Sequence, residues 1–214
     1  MKYSAVIVAA GSGTRMKLGF NKVYAKLSDG KMILEKTMDA FLQDKDCTQV
    51  VVVTDIREYQ KHIKMDFWPG AITIVKGGST RQESVISGLS AALEDVVMIH
   101  DGARPYLTMK SLRALKKAMK EEKAACLAVP VKDTIKVTKD GYIQKTPDRD
   151  TLYAAQTPQV FYTSDIIRCM RRAIEDGFTG TDDCSVFEKY SRRKIRLVEG
   201  DYGNIKITTP EDLR

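Results

Sequence analysis

The sequence predicts an α/β fold, a three-layer sandwich in which helices cover both faces of a mostly parallel sheet. Short runs rich in valine, isoleucine and alanine alternate along the chain with segments whose apolar residues follow the helical period. Several runs, such as 50–54, are continuously apolar, which is typical of strands buried on both faces. The 214 residues are enough for one core, so we expect a single domain over 1–214.

The apolar runs predict strands at 5–9, 50–54, 72–75, 96–100, 126–131, 195–198 and 205–208. Apolar residues three and four positions apart predict helices at 31–44, 81–93, 109–123 and 164–176. The buried faces of these helices include, in turn, Leu34 and Met38, Val85 and Leu89, Leu112 and Leu115, and Ile166 and Met170.

Residues 132–155 break the alternation and predict a β-arm. Asp140-Gly141 lies between two short alternating runs, which is a hairpin signal. A lone hairpin is not stable in water, so the arm must pack on its own domain or on a second subunit. The residues alone leave these two possibilities open.

The charge balance does not favour a nucleic-acid partner, although the formal net charge is +7. The densest basic stretch lies on the polar face of the predicted helix 109–123 and contains no aromatic residues on which bases could stack. A small anionic substrate remains compatible with the excess of cations.

The four cysteines, Cys47, Cys126, Cys169 and Cys184, do not have the spacing of a zinc site or a disulfide framework. We expect free thiols in a reducing compartment. No apolar stretch has the length of a membrane-spanning helix. The predicted location is therefore cytoplasmic, without a membrane partner.

The loop 9–16 follows the first predicted strand and contains Gly11 and Gly13. Such a turn can present backbone N–H groups to an anion. The third glycine of a dinucleotide fingerprint and the Gly-Lys-Ser/Thr of a P-loop are both absent. Arg15 and Lys22 follow instead, and two cations after a glycine turn suit a polyphosphate. A surface turn with incidental basic residues explains the loop equally well.

Residues 77–84 follow the third predicted strand and open a helix. Their backbone donors and small hydroxyls could contact a base or a ribose. An ordinary helix cap at Ser79 or Thr80 is an equally good interpretation.

Residues 100–105, His-Asp-Gly-Ala-Arg-Pro, end an apolar strand, where ligands bind in open α/β sheets. Asp101 and Arg104 could meet substrate hydroxyls, a metal or a phosphate, or could only lock the loop as an ion pair. His100 lies inside the strand pattern and is expected to be a hydrogen-bonded structural residue.

Lys206 lies between Ile205 and Ile207, so its side chain is expected to face the opposite side of the strand from theirs. A lysine that faces inward needs an anionic partner. The competing interpretation is a solvent-facing lysine on an edge strand.

No Ser-His-Asp or Cys-His arrangement stands out, and the chain has only two histidines, which argues against a hydrolase. The candidate groups are cations and glycines. These fit phosphoryl or nucleotidyl transfer, in which positioning and charge neutralisation supply most of the catalysis.

Together and in order, these motifs resemble the 2-C-methyl-D-erythritol 4-phosphate cytidylyltransferase family of the non-mevalonate isoprenoid pathway. The matching segments span nearly the whole chain: 9–16, Lys22, 77–78 with Arg81 and Ser84, 100–105, 130–136, 148–149, 156–159, 181–183 and 204–213. The resemblance implies a Rossmann-like nucleotidyltransferase sheet. It also implies transfer of CMP from CTP to the polyol phosphate, with release of pyrophosphate.

The resemblance further implies the roles of individual residues. Arg15 and Lys22 would stabilise the transition state. The nucleotide would be held by Ala9, Ala10, Gly11, Ser12, Gly13, Gly78, Ser79, Arg81 and Ser84. The polyol phosphate would be held by Asp101, Arg104, Thr134, Arg149, Thr157 and Lys206. Mg²⁺ or another divalent cation would bridge the CTP phosphates. The family is dimeric through its arm, so Arg149 and Thr134 would serve the partner's site.

The chain departs from the family pattern at three positions: Ser79 stands where an Asp is usual, Asn21 where a Pro is frequent, and Gly102 where an Ala is common. Alternatives are a ribitol-5-phosphate cytidylyltransferase, an NAD-dependent oxidoreductase and a nucleotide-binding regulator without catalysis. Residues 209–212 have the pattern of a helix start, which leads us to expect a further helix after Arg214.

Overall fold

The computed structural model describes residues 1–11, 20–63 and 72–213. Its strands are β1 (Tyr3–Val8), β2 (Cys47–Thr54), β3 (Ile72–Lys76), β4 (Val96–Asp101), β5 (Ala124–Pro130), β6 (Val137–Lys139), β7 (Tyr142–Lys145), β8 (Tyr153–Tyr162) and β9 (Arg196–Glu199). Seven of them form one sheet in the order β3-β2-β1-β4-β8-β5-β9. In this sheet β8 runs antiparallel to β4 and β5, whereas the other neighbouring strands are parallel. The predicted mostly parallel sheet is confirmed.

Helices cover both faces of this sheet. They are α1 (Ile33–Leu42), α2 (Ile56–His62), α3 (Arg81–Ser90), α4 (Met109–Ala118), α5 (Thr163–Glu175) and α6 (Asp183–Tyr190). The side chains of α1, α2 and α4 pack in one apolar cluster, and those of α3, α5 and α6 pack in a second. The sheet separates the two clusters, so the three-layer arrangement is confirmed.

Strand β2 shows why the continuous apolar runs were informative. Val50 and Val52 belong to the cluster on one face, while Val51 and Val53 belong to the cluster on the other. Because successive side chains of a strand point to opposite faces, a strand covered on both faces needs apolar residues at every position.

Several elements differ from the prediction. Residues 205–208 form no strand: Ile207 N donates to Ala103 O at 2.9 Å, but no ladder continues from this bond. The prediction of a strand there is wrong, because the alternation of Ile205, Lys206 and Ile207 reflects a loop anchored on one side. Strand β8 and the short helices α2 and α6 were not predicted.

Strands β6 and β7 form a separate two-stranded sheet at the predicted hairpin. Asp140 and Gly141 have φ values of 51° and 82°, as the tight turn requires. Every residue of both strands is exposed, including Tyr142 at 76% and Ile143 at 63%. The hairpin therefore does not pack against the core of its own chain. The predicted segment 132–155 extends past the hairpin, since residues 153–155 begin β8.

Gly88 lets helix α3 lie close against the sheet. A Cβ atom at this position would overlap Val6 and would lie 2.8 Å from a methyl carbon of Val53. Both valines are fully buried between the sheet and the helix, so neither has room to move.

Gly88→Ala is expected to destabilise the protein by about 1–3 kcal/mol, because overpacking of the core outweighs the better helix propensity of alanine. Denaturant unfolding measures this difference. Ser90→Ala on the exposed side of the same helix is the matched control and should shift the free energy of unfolding by less than about 0.5 kcal/mol. A Gly88→Ala protein as stable as the wild type would contradict the close approach.

Candidate active site

A cavity of about 450 Å³ opens at the carboxyl ends of β1 and β4. The chain reverses its direction of travel across the sheet between these two strands, and ligands of α/β proteins bind at such switch points. Ten of the predicted site residues line this cavity: Ala9, Ala10, Gly11, Lys22, Gly78, Ser79, Arg81, Ser84, Asp101 and Lys206. The fold thus gathers motifs that are far apart in the sequence.

Asn21 anchors the first of these loops. Its side-chain amide donates to Ala9 O at 2.6 Å, and its carbonyl oxygen accepts from Val23 N at 3.3 Å. Asn21, one of the three residues that depart from the family pattern, therefore joins the end of β1 to the turn that carries Lys22. Ser12, Gly13 and Arg15 lie outside the described residues.

Lys22 lies at the start of a short 3₁₀ turn, Lys22–Tyr24, and lines the cavity. Its Nζ donates to Ile207 O at 2.6 Å. A main-chain carbonyl from the C-terminal part of the chain thus holds this ammonium group at the cavity wall.

The second glycine loop is closed by its own hydrogen bonds. Gly78 N donates to Ser84 Oγ at 3.1 Å, and Ser79 N donates to Glu83 Oε2 at 2.7 Å. Thr80 caps α3 by accepting from Glu83 N at 3.1 Å. A Cβ atom on Gly77 would overlap Ala10, so the glycine allows the two loops to touch.

The carboxylate of Asp101 pairs with three cations in the site. Its Oδ1 accepts from Arg81 Nε at 3.3 Å, and its Oδ2 lies 2.8 Å from Lys206 Nζ and 3.6 Å from Arg104 Nε. Burial by itself would raise the pKa of this carboxyl group, but Arg81, Lys206 and Arg104 outweigh burial and hold the pKa well below its usual range. Asp101 therefore stays ionised and keeps three cations together.

His100 and Thr157 form a hydrogen-bond network that holds the main chain of Asp101. The Thr157 hydroxyl accepts from Asp101 N at 3.0 Å and lies 2.9 Å from His100 Nδ1. The other ring nitrogen of His100 lies 3.1 Å from Arg104 O, and the ring is fully buried. The expectation of a hydrogen-bonded structural histidine is confirmed. Thr157 is itself buried and does not line the cavity.

Asn204 is a residue whose position the sequence pattern did not explain. It is fully buried, its amide donates to Thr157 O at 2.9 Å, and its main-chain carbonyl accepts from Arg104 Nη1 at 2.7 Å. Among the described residues, Asn204 Oδ1 and Arg104 Nε are buried atoms without a hydrogen-bond partner. Asn204 fixes the segment that carries Lys206.

Thr134 and Arg149 lie apart from the cavity. Both are exposed, and Arg149 Nη1 donates to Lys132 O at 3.1 Å within the same segment. Neither residue lines the cavity of its own chain.

Glycine loops and several cations at the switch point of a parallel sheet define the class of protein. Main-chain donors can hold a nucleotide, and lysine and arginine side chains can neutralise its phosphates. No nucleophile with an adjacent base lines the described part of the cavity. A site of this kind suits a nucleotidyltransferase of the α/β class.

Comparison with known proteins identifies the family. The family model described as IspD: 2-C-methyl-D-erythritol 4-phosphate cytidylyltransferase matches residues 3–214, and the chain belongs to this family. A cytidylyltransferase of this name from Caldanaerobacter subterraneus is 47% identical over 220 residues, covering 100% of this chain and 96% of the relative. The corresponding protein from Bacillus pumilus is 40% identical and covers 100% and 94%.

Solved structures agree with this assignment. The 4-diphosphocytidyl-2C-methyl-D-erythritol synthase of Anaerococcus prevotii superposes with a TM-score of 0.85 at 34% identity, covering 99% of this chain and 95% of that one. The cytidylyltransferase of Thermus thermophilus gives a TM-score of 0.80 at 29% identity, covering 100% and 96%. The resemblance inferred from the motifs is confirmed. In the described part of the chain, no helix is long and apolar enough to cross a membrane.

The unfolding free energy is expected to fall by about 2 kcal/mol between pH 7 and pH 5 through His100. Burial lowers the pKa of His100 to about 4, whereas an unfolded histidine titrates near pH 6.5. The unfolded chain therefore binds a proton in this range and the folded chain does not, so stability is lost as the pH falls. Denaturant unfolding at several pH values measures the slope, and His100→Gln should flatten it. Equal slopes in both proteins would contradict the buried neutral ring.

Proposed function

We propose that this chain transfers the cytidylyl group of CTP to 2-C-methyl-D-erythritol 4-phosphate, with release of pyrophosphate. The family assignment supports the reaction. The single observation that supports the proposed location of the active site is the cavity in which Lys22, Arg81 and Lys206 converge. A phosphate oxygen of the polyol phosphate attacks the α-phosphorus of CTP, and the bond to the pyrophosphate oxygen breaks in line. The described cysteines are free thiols, as expected in the reducing cytoplasm, where we place the reaction.

The two glycine loops are proposed to hold CTP. Ala9, Ala10, Gly11, Gly78 and Ser79 line the cavity with main-chain atoms and small side chains, which allow a flat base and a ribose to approach closely. Ser12 and Gly13, which the resemblance also assigns to the nucleotide, lie outside the described residues. Ser84 supports the second loop through its bond from Gly78 N.

Lys22 is proposed to stabilise the negative charge that crowds around the α-phosphorus in the transition state, together with Arg15. The bond from Lys22 Nζ to Ile207 O fixes the ammonium group before substrate arrives. A charge fixed in advance stabilises a transition state without the cost of reorganisation.

Asp101 and Lys206, which line the cavity, are proposed to bind the polyol phosphate, and Arg104 is proposed to support them. Lys206 is partly exposed and faces the cavity, so its ammonium group can pair with the substrate phosphate. Asp101 can accept from substrate hydroxyls, while Arg104 and Thr157 act from behind by holding Asn204 and Asp101.

Mg²⁺ is proposed to enter the site with CTP. Among the described residues, no group of three or more His, Cys, Asp or Glu side chains could hold a metal ion, and Asp101 is the one carboxylate on the described cavity wall. Nucleotide-bound Mg²⁺ is typically held by one or two carboxylates and by phosphate oxygens. Because Asp101 is already paired with three cations, the phosphate oxygens of CTP would hold the ion, which would draw negative charge from them.

The exposed hairpin is proposed to join two copies of the chain as a homodimer. Tyr142, Ile143 and Tyr153 expose apolar side chains that a partner subunit would cover. Thr134 and Arg149 lie on this arm and away from their own cavity. We therefore place them in the partner's site, beside its polyol phosphate.

A substrate panel tests the reaction. With CTP and Mg²⁺, pyrophosphate release is expected with 2-C-methyl-D-erythritol 4-phosphate and not with ribitol 5-phosphate. Coupled detection of pyrophosphate gives the rates, and titration with NAD(H) serves as the binding control for an oxidoreductase. Turnover of ribitol 5-phosphate alone would refute the proposed substrate.

Mixing two inactive variants tests the shared site. Lys22→Ala and Arg149→Ala are each expected to lose most activity, since each removes a cation from the site. If the arm serves the partner, a mixed dimer contains one site with both cations intact. Random mixing should then restore about one quarter of the wild-type activity, because half of the dimers are mixed and carry one such site. Absence of any restoration after subunit exchange, checked by mass, would place Arg149 in its own chain's site.

A further inference from the structure

Two adjacent aspartates at the start of α6 have different partners. Asp182 caps the helix by accepting from Ser185 N at 2.8 Å, and it also accepts from Gln159 Nε2 at 2.6 Å. Asp183 does not take part in this cap. Its side chain is only 1% exposed and accepts from Arg81 Nη1 at 3.0 Å and Arg81 Nη2 at 2.9 Å. Burial raises the pKa of this carboxyl group, and the arginine acts against that rise.

Arg81 connects this buried carboxylate to the centre of the active site. Its two terminal nitrogens bind Asp183, and its third nitrogen, Nε, donates to Asp101 Oδ1 at 3.3 Å. A guanidinium group is planar and rigid, so a two-point bond at one end fixes the direction of the third donor. The orientation of the Asp101 carboxylate therefore depends on where Asp183 holds Arg81.

We propose that Asp183 is a positioning residue of the transferase site, which acts through Arg81 to fix Asp101 against Lys206. The inference rests on the proposed function, because it assigns Asp183 an effect on the transfer rate. Asp183 does not line the main cavity and need not touch either substrate. With Asp183 in place, Arg81 occupies Asp101 Oδ1, and Asp101 Oδ2 remains turned towards Lys206, 2.8 Å away.

Without the Asp183 carboxylate, both terminal nitrogens of Arg81 would lose their hydrogen-bond acceptor beside a site that binds phosphates. The side chain could turn towards the triphosphate or place its terminal nitrogens on Asp101. Either movement would shift the Asp101 carboxylate and Lys206. Small displacements of positioned groups lower the rate of transfer strongly, while an added positive charge does not weaken CTP binding.

In the alternative, Asp183 would only stabilise the fold, as one half of a buried ion pair beneath α6. Asp165 is the matched control for that role. Asp165 lies in α5, is likewise buried, and pairs with Arg168 at 2.7 Å and Arg193 at 2.8 Å. It is not among the residues that line the cavity. Asp165→Asn therefore removes a comparable buried carboxylate without touching the active site.

The experiment compares Asp183→Asn with Asp165→Asn, with folded fractions measured by circular dichroism. Asp183→Asn is expected to lower kcat on the order of tenfold or more and to raise KM for the polyol phosphate, without weakening CTP binding by more than about threefold. Asp165→Asn should keep kcat and both KM values within about twofold of the wild type. Identical kinetic constants for the two folded variants would overturn the proposal.

Two further measurements keep the proposal falsifiable if Asp183→Asn folds poorly. The double variant Arg81→Gln with Asp183→Asn removes both charges and leaves no unpaired ion in the core. Its kcat should equal that of Arg81→Gln alone, and a further multiplicative loss would overturn the proposal. A crystal structure of Asp183→Asn should show Arg81 Nε displaced from Asp101, and an unmoved Arg81 would also overturn it. Wild-type turnover in the same assay tests the proposed function separately.

Discussion

The arrangement of the site depends on one buried charge, the carboxylate of Asp101 at the end of β4. Three cations lie within 3.6 Å of its two oxygens: Arg104 from the loop that follows the same strand, and Arg81 and Lys206 from distant parts of the chain. Without this anion their mutual repulsion, which is strong away from water, would spread them apart. The strand supplies a rigid base, because Asp101 N is fixed by Thr157 and the strand pairs with a neighbour on each side.

The central sheet was predictable from the sequence because its strands are buried on both faces and therefore read as continuous apolar runs. Strand β8 was not predictable in this way. Its middle contains Gln156, Thr157 and Gln159, which are buried but use their polar groups to hold Asp201, Asp101 and Cys184. The strand exists because β4 and β5 pair with it, and that pairing leaves no local pattern. At 205–208 the opposite error occurred: the residues alternate as they would in a strand, but the structure has a loop there.

The sequence indicated which residues would form the site, but not which hydrogen bonds and ion pairs would join them. Glycines and cations after apolar strands indicated which segments would meet, because parallel strands bring their carboxyl ends to one edge. The bonds that set the geometry join residues far apart in the chain, 102 positions for Arg81 with Asp183 and 47 for Asn204 with Thr157. Asp182 and Asp183 look alike in sequence as a helix start, yet one caps the helix and the other is a buried counterion.

The C-terminal segment holds two of the site's cations with its main chain: the carbonyl of Asn204 accepts from Arg104, and the carbonyl of Ile207 accepts from Lys22. A carbonyl is present whatever side chain the residue carries, so these bonds depend on the number of residues between the two anchors more than on their identity. The half-exposed Ile205 can vary without moving either bond. One residue inserted or deleted between 204 and 207 would change the spacing of the two carbonyls, so the length of this segment matters more to these two bonds than the identity of Ile205.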